Sequence, residues 1–427
     1  MKKEQNKINR RNFLKTVGAA GLGSVLASTG AVSGANEPSA VGAAGQEAEK
    51  PGYPQVPKRK LGKLTQPGES GMVPVEVASL SLGTMFNIMD NQITLREALK
   101  WGVTYWDTAY NYAGGNSELG IGKFLARHPE VRKKLFIATK ASNAKTIEDV
   151  ERRLQESLKR MKTDYVDLFY GVHILTDPAL LTDDLRKWAE SAKKRKLIRF
   201  FGFSTHKNMA QCLKAAAGLD WIDAIMVMYN FRLMQDDQMQ AGIEACYKAG
   251  IGLTAMKTQG RGQVKEIETE ADKKLTERFL NRGFTAGQAK IKAVLADKRI
   301  SSVAVGRGNV RELVENAAAV LDKTRFTPED MKVFRQVSQS TCHGYCAACA
   351  HICDSALPGT PYVSDIMRYL MYHNSYGEKE TARALFAEIP AQVKERLAGI
   401  DYRLAEARCP QHLPIAELMA EAVRKLA

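Results

Sequence analysis

The chain has 427 residues, 44% of them hydrophobic and 26% charged, which supplies a full globular core and excludes a largely disordered protein. Its net charge of +15 is not arranged as a basic stripe interleaved with aromatics, so nucleic acid is not an expected partner. The run Lys193-Lys194-Arg195-Lys196 reads as the solvated end of a helix.

The N-terminus is basic, with Lys2, Lys3, Lys7, Arg10, Arg11 and Lys15 against Glu4. Asn9-Arg10-Arg11-Asn12-Phe13-Leu14-Lys15 leads into a small, weakly apolar run that ends near Ser33-Gly34-Ala35. A basic region, an apolar region and a small-residue cleavage site make residues 1–35 a signal peptide. The paired arginines before Phe-Leu-Lys resemble the twin-arginine type. That route exports folded proteins, which implies a cofactor loaded in the cytoplasm and a periplasmic or other extracytoplasmic destination. The glycines of residues 18–23 are not a dinucleotide fingerprint, because no strand precedes them. Residues 36–57 are an Ala/Gly/Glu/Pro linker. No later segment is long and apolar enough to span a bilayer.

From residue 58 to 325 the pattern alternates strand and helix. Eight β-rich runs appear, at 75–82, 103–106, 135–139, 166–172, 198–202, 222–228, 251–255 and 302–305. Helical periodicity occupies 146–161, 178–192, 235–247, 286–295 and 310–321, and Thr146 with Asp149 resembles a capping box. Eight strands each followed by a helix predict an α/β chain folded as a closed (β/α)₈ TIM barrel. An open doubly wound sheet is disfavoured, because no strand–Gly-x-Gly-x-x-Gly–helix unit is present.

Chemistry in such a barrel sits where strands end. The strand ends carry Gly83-Thr84, Asp107 with Tyr112 close behind, Lys140, His173, Ser204-Thr205-His206, Tyr229-Asn230, Met256-Lys257 and Gly306-Arg307. Asp107, Lys140 and His173 recur at 33-residue steps. One βα repeat per step brings them round one rim. A lone Asp or Lys there is more often a cap or a surface charge, whereas convergence of several titratable groups marks a site.

These residues resemble the aldo/keto reductase family. The resemblance is carried by Trp106-Asp107-Thr108-Ala109-Tyr110-Asn111-Tyr112, Asn116-Ser117-Glu118-Leu119-Gly120, Ala138-Thr139-Lys140, residues 167–173, Gly202-Phe203-Ser204-Thr205, and Gly306 through Asn316. It covers roughly residues 57–323. It implies that Tyr112 is the general acid, that Lys140 tied to Asp107 lowers the tyrosine pKa, and that His173 orients a substrate carbonyl. Hydride must come from a cofactor, because no side chain supplies it, and the family uses NADPH without a Rossmann motif.

By the same resemblance, Gly83, Thr84, Ser204, Thr205, Tyr229, Asn230, Arg307, Arg311 and Asn316 are candidate dinucleotide contacts. The chain departs from the family pattern at Met226, where a nicotinamide-binding Gln is common, and at Thr205, where Asn is usual. Arg307 and Arg311 only partly match the groups that grip a 2′-phosphate, and Glu312 is an awkward neighbour for one. NADP is the expected cofactor and NAD the alternative. Ser204 and Thr205 also read as plain turn residues.

Residues 326–427 form a mostly helical, cysteine-rich extension. Cys342, Cys346, Cys349 and Cys353 fall within a dozen residues, and Cys409-Pro410 follows. C-x₂-C and C-x₃-C steps with a distant Cys-Pro resemble a ferredoxin-type [4Fe–4S] site, with Cys342 or Cys353 the odd one out. Zinc, with His343 or His351 replacing one thiolate, is a second reading, and disulfides are a third. Some aldo/keto reductase-like proteins carry such a cluster. Cys212 and Cys246 lie on apolar helix faces and read as core. Helices are expected at 363–372 and 376–397, where the Met and Tyr stripe reads as core.

The expected function is that of an oxidoreductase exchanging hydride between a nicotinamide and a small carbonyl or alcohol. A redox protein is a possible partner of the cluster, which alternatively feeds electrons straight to a substrate in the barrel. The reading of another class is a non-catalytic binding barrel whose extension is a metal staple or docking element.

Overall fold

The computed structural model describes residues 53–259, 277, 283–306, 309–340, 344–357, 359, 362–376, 378–409 and 411–427. The signal peptide, most of the linker, Arg307, Cys342 and His343 lie outside the described residues, as does the side chain of His351.

Strands β1 (Lys58–Gly68) and β2 (Gly71–Ala78) pair antiparallel as a hairpin. The hairpin lies across the N-terminal end of the barrel, where Lys63 N–H donates to Gly250 O at 2.8 Å and the Arg59 guanidinium donates to Leu295 O and Ile300 O. The β-rich run 75–82 therefore splits at Ser79, with its first half in the hairpin and its second half opening the barrel.

The barrel strands are β3 (Leu80–Gly83), β4 (Tyr105–Asp107), β5 (Phe136–Ser142), β6 (Val166–His173), β7 (Ile198–Thr205), β8 (Ala224–Met228), β9 (Gly252–Met256) and β10 (Ser302–Val305). All neighbours are parallel, and β10 pairs with both β9 and β3, which closes the cylinder. This is the (β/α)₈ barrel expected from the sequence. Strands buried on both faces read as unbroken apolar runs, as in β8, where all five residues of AIMVM are buried.

Helices α1 (Gln92–Lys100), α2 (Asn116–Arg127), α3 (Ile147–Met161), α4 (Asp183–Lys194), α5 (Met209–Ala216), α6 (Asp237–Ala249), α7 (Ala286–Ala296) and α8 (Val310–Leu321) intervene. Their starts are written in hydroxyl and amide caps. Thr146, Thr182, Asp236, Thr285 and Asn309 each accept from a backbone N–H of the first turn. At Thr146 the Asp149 carboxylate reaches back to Lys145 N–H, so the reciprocal box seen at Thr285 and Gln288 is not completed there.

The extension holds α9 (Pro328–Ser340), α10 (Ala350–Ala356), α11 (Val363–Met371), a wide turn at Tyr372–Tyr376, α12 (Lys379–Ala387), α13 (Ala391–Arg396), α14 (Arg403–Arg408) and α15 (Ile415–Leu426). The helix expected over 376–397 is two helices broken ahead of Pro390, whose ring disfavours helical geometry in the residue before it. Helix α9 packs with the barrel: Phe334 and Val337 share a cluster with Phe231 and Phe284. A separate core begins after it, built from residues such as Tyr345, Ile366, Leu370, Phe386 and Leu418. The sequence boundary at 325/326 thus precedes the structural one, because α9 buries its aromatic face on the barrel. No described helix is long and apolar enough to cross a membrane.

Candidate active site

Asp107 ends β4 and Lys140 lies in β5, and the two side chains meet inside the barrel at 2.6 Å. Lys140 Nζ also donates to Thr108 O at 2.6 Å and lies 4.8 Å from the ring centroid of Tyr112. Tyr112 opens a tight turn in which Ala113, Gly114 and Gly115 take φ of 50°, 64° and 93°. Two glycines make that left-handed path accessible and swing the chain into α2. His173 ends β6 with its ring centroid 6.1 Å from that of Tyr112, in an edge arrangement. Its Nδ1 lies 2.8 Å from Ser142 Oγ. With Ser142 donating, Nε2 carries the proton and is the nitrogen available to a substrate carbonyl. The structure therefore brings Asp107, Tyr112, Lys140 and His173 to one rim.

The turn that delivers Tyr112 is braced from beneath. Ser117 Oγ lies 2.7 Å from both Thr84 Oγ1 and Thr108 Oγ1, and Thr84 Oγ1 donates to Asp107 O. Buried Glu118 accepts from Thr139 at 2.7 Å and from Arg160 at 3.2 Å.

Burial dominates the electrostatics. It raises the Asp107 carboxyl above its ordinary range despite the opposing pull of Lys140. Burial also acts to lower Lys140, but Asp107 and Tyr112 together hold it above the ordinary lysine value. The Tyr112 phenol is raised by burial, and Lys140 offsets only part of the rise. The expected lowering by Lys140 is present as a contribution and is outweighed. His173 is pulled down to about 3 by burial, then by Lys140 and Lys257. At neutral pH the rim thus holds a protonated phenol and a neutral imidazole, a proton donor beside a directional hydrogen-bond donor.

The candidate dinucleotide contacts divide. Ser204 Oγ is buried and has no hydrogen-bond partner among the described residues. A buried hydroxyl without a partner is costly, so this is a place where a bound amide fits. Thr205 Oγ1 already donates to Leu175 O and Lys207 O. Asn230 donates to Tyr345 Oη at 2.7 Å, and its side-chain carbonyl accepts from Arg232 and Leu233 N–H. Tyr229 turns its hydroxyl towards Asp297 and Gln240. Thr84 belongs to the brace described above. Gly83 faces Gly306 so closely that a Cβ on Gly306 would lie 2.2 Å from Gly83 O. Arg311 is exposed and pairs with Glu315 at 3.1 Å, and Asn316 is half-buried on α8.

The cysteines of the extension converge. Cys346, Cys349, Cys353 and Cys409 line one small cavity, closed by Ile352, Met367, Leu413 and Ile415. None of the four forms a disulfide. Burial pushes Cys346 up to about 11, and raises Cys349 and Cys353 as well. Among the described residues, no three His, Cys, Asp or Glu side chains are set to hold one metal ion. The four thiols share an apolar hollow rather than a single point. Cys212 and Cys246 are buried in the barrel's main core.

Sequence reasoning passed over the way the extension lies on the barrel mouth. Asn208 N–H donates to Ala348 O at 2.7 Å and Lys207 pairs with Asp365 at 2.6 Å. Arg368 reaches Cys346 O at 3.2 Å, Tyr372 Oη at 3.0 Å and His206 Nδ1 at 3.2 Å. His206 and Lys257 follow strand ends, which is the signal that could have singled them out. Arg368 and Tyr372 are one helical turn apart within an apolar stripe and carry no such signal.

The model of the Aldo/keto reductase family matches residues 79–339. Among curated relatives, aldo-keto reductase yakc (NADP(+)) of Schizosaccharomyces pombe is 28% identical over 225 residues, 48% of this chain and 62% of that protein. The L-glyceraldehyde 3-phosphate reductase of Escherichia coli K12 is 24% identical over 325 residues, 64% of this chain and 91% of that protein. Among solved structures, the holo form of aldo-keto reductase AKR11C1 from Bacillus halodurans superposes with a TM-score of 0.54 at 22% identity, covering 66% of this chain and 96% of that one. The thermostable aldo-keto reductase Tm1743 gives 0.51 at 26% identity, covering 64% and 99%.

Proposed function

Because the chain belongs to the aldo/keto reductase family of oxidoreductases, we propose that it reduces a carbonyl, or oxidises the matching alcohol, at the rim formed by Asp107, Tyr112, Lys140 and His173. The single observation that carries this reading is the 2.6 Å Lys140–Asp107 pair beneath the Tyr112 ring. His173 Nε2–H receives the carbonyl oxygen and fixes its direction. Tyr112 gives that oxygen its proton, and Lys140 stabilises the phenolate left behind. Asp107 keeps Lys140 charged where burial would otherwise neutralise it.

Bound reduced nicotinamide supplies the hydride. NADP is favoured over NAD by the name of the S. pombe relative. Ser204 is the residue best suited to hold its carboxamide, since its hydroxyl is otherwise unused. Arg311 on α8 and, by the family resemblance, Arg307 are the candidate basic contacts for a 2′-phosphate.

We further propose that Cys346, Cys349, Cys353 and Cys409 hold a [4Fe–4S] cluster. The convergence of these four thiols on one apolar hollow supports this reading. The twin-arginine leader fits export with cofactors already in place. Iron and sulfide analysis of anaerobically purified protein, with a visible spectrum before and after NADPH, tests both parts. Brown protein with about four irons that bleaches on NADPH supports a dinucleotide-linked enzyme with an electron-transferring cluster. Colourless, zinc-containing protein that ignores NADPH overturns the cluster.

The engagement of Thr205 and Asn230 within the protein favours a second reading, a barrel that binds without turning over. A Tyr112→Phe change separates the two, because a binding module keeps its affinity.

A further inference from the structure

The loop that carries Tyr112 is gripped by one side chain from α3. Arg160 lies in the last turn of that helix, and only 18% of its side chain is exposed. Its Nη1 donates to Tyr110 O at 2.7 Å and to buried Glu118 at 3.2 Å, and its Nη2 donates to Glu156 at 2.6 Å. The Tyr110 hydroxyl donates to the other oxygen of Glu156 at 2.7 Å. The guanidinium carbon lies 4.2 Å from the centroid of the Tyr110 ring. At the far end of the turn, a Cβ on Gly115 would sit 3.1 Å from Arg160 Nη1. Arg160 therefore meets the chain on both sides of Tyr112.

Residue 110 is also tied to the catalytic strand. Tyr110 N–H donates to Lys140 O at 3.2 Å, so its N–H is held by β5 and its carbonyl by α3. Glu118 repeats the link, because it accepts from Thr139, the neighbour of Lys140, as well as from Arg160. Such clamps matter here. Ala113, Gly114 and Gly115 all take positive φ, and two adjacent glycines leave the turn little stiffness of its own. The position of the phenol then depends on what holds its flanks. Arginine suits that task. A planar fork reaches one carbonyl and two carboxylates while its face lies against a ring, which the point charge of a lysine cannot do at once. Burial acts against the charged guanidinium, but Glu118 and Glu156 keep it charged.

We propose that Arg160 is the positioning residue of the Tyr112 loop: by clamping Tyr110 and packing on Gly115 it holds the phenol over Lys140, and it acts through the loop rather than by contact with substrate. The inference rests on the reading that Tyr112 gives its proton to a carbonyl oxygen. Proton transfer demands a donor within hydrogen-bond reach, and a misplacement of about 1 Å costs on the order of a hundredfold in rate. Loosening the clamp should therefore slow the chemical step without weakening the binding of either reactant.

The test compares the full-length parent with Arg160→Lys and Glu156→Gln. The first variant keeps a charge opposite Glu118 and loses the fork. The second alters a side chain that is 39% exposed, so it guards against misfolding of the first. With a carbonyl substrate of the parent, kcat should fall about tenfold or more in Arg160→Lys and several-fold in Glu156→Gln, while KM and NADPH affinity stay within about twofold. Amide hydrogen exchange over residues 109–115 should quicken by about tenfold in Arg160→Lys and stay unchanged over residues 198–228. Parent-like kcat and exchange in both variants overturn the proposal. So does a uniform rise in exchange across the barrel, which marks a general loss of stability instead of a released loop. A parent that turns over no carbonyl sinks the reductase reading, and exchange over residues 109–115 then decides the clamp by itself.

Discussion

Asn230 at the end of β8 donates to the Tyr345 hydroxyl of the extension at 2.7 Å. A residue that the family resemblance assigns to the dinucleotide therefore ties two parts of the protein together. Ser204, at the end of the neighbouring strand, is left with an unused hydroxyl. The division yields opposite expectations for two substitutions. Asn230→Ala strands the Tyr345 hydroxyl and the N–H groups of Arg232 and Leu233, and should lower stability by about 1–3 kcal/mol in urea unfolding. Ser204→Ala removes an unsatisfied buried group, so stability should hold or rise slightly. Its NADPH affinity, read by fluorescence titration, should fall by roughly two- to tenfold.

Acid sensitivity follows from His173. Its folded-state pKa of about 3 lies below the ordinary histidine value. The unfolded chain therefore binds the proton first as pH falls from about 6.5, and stability is lost progressively down to about 3. The loss is about 1.4 kcal/mol per pH unit for this group. Urea unfolding at pH 7 and pH 5 should show a smaller loss in His173→Asn than in the parent. His206 adds a further loss of the same sign.

The barrel seam is sensitive to a single methyl group. A Cβ at Gly306 meets Gly83 O at 2.2 Å, a backbone atom that cannot swing away. Gly306→Ala should cost about 1–3 kcal/mol or more by forcing β3 and β10 apart. Thermal unfolding would show it as a fall of several degrees.

Much of this was legible in the sequence, for local reasons. Asp107, Lys140 and His173 fall on successive strands at equal spacing, so a barrel reading puts them together at once. Thr146 and Asn309 announce helix starts through short-range caps. The N-terminal hairpin was hidden because the β-rich pattern of 75–82 continues across Ser79. The docking of the extension was not legible either. Arg368–His206 and Asn230–Tyr345 join residues more than a hundred positions apart, and no local pattern encodes such pairs. Thr205 shows the same limit, since only the fold reveals that two carbonyls already occupy its hydroxyl.

Removing thiols from the extension should act selectively. Cys409→Ser removes one of four thiols on the shared hollow and should reduce bound iron well below that of the parent. Cys212→Ala, deep in the barrel core, should leave iron content unchanged. Iron and acid-labile sulfide per chain, measured on anaerobic preparations, reads both. Equal iron in the two variants would remove Cys409 from the ligand set.

The most direct test of the account compares the parent with Tyr112→Phe for NADPH consumption against a panel of aldehydes and ketones, including oxo-acids and phosphorylated aldehydes, with NADPH binding measured in parallel. The account predicts turnover by the parent and a loss of about 10²–10⁴-fold in the variant, with NADPH affinity unchanged. Equal rates in the two proteins would contradict it, since Tyr112 would then carry no proton to the substrate.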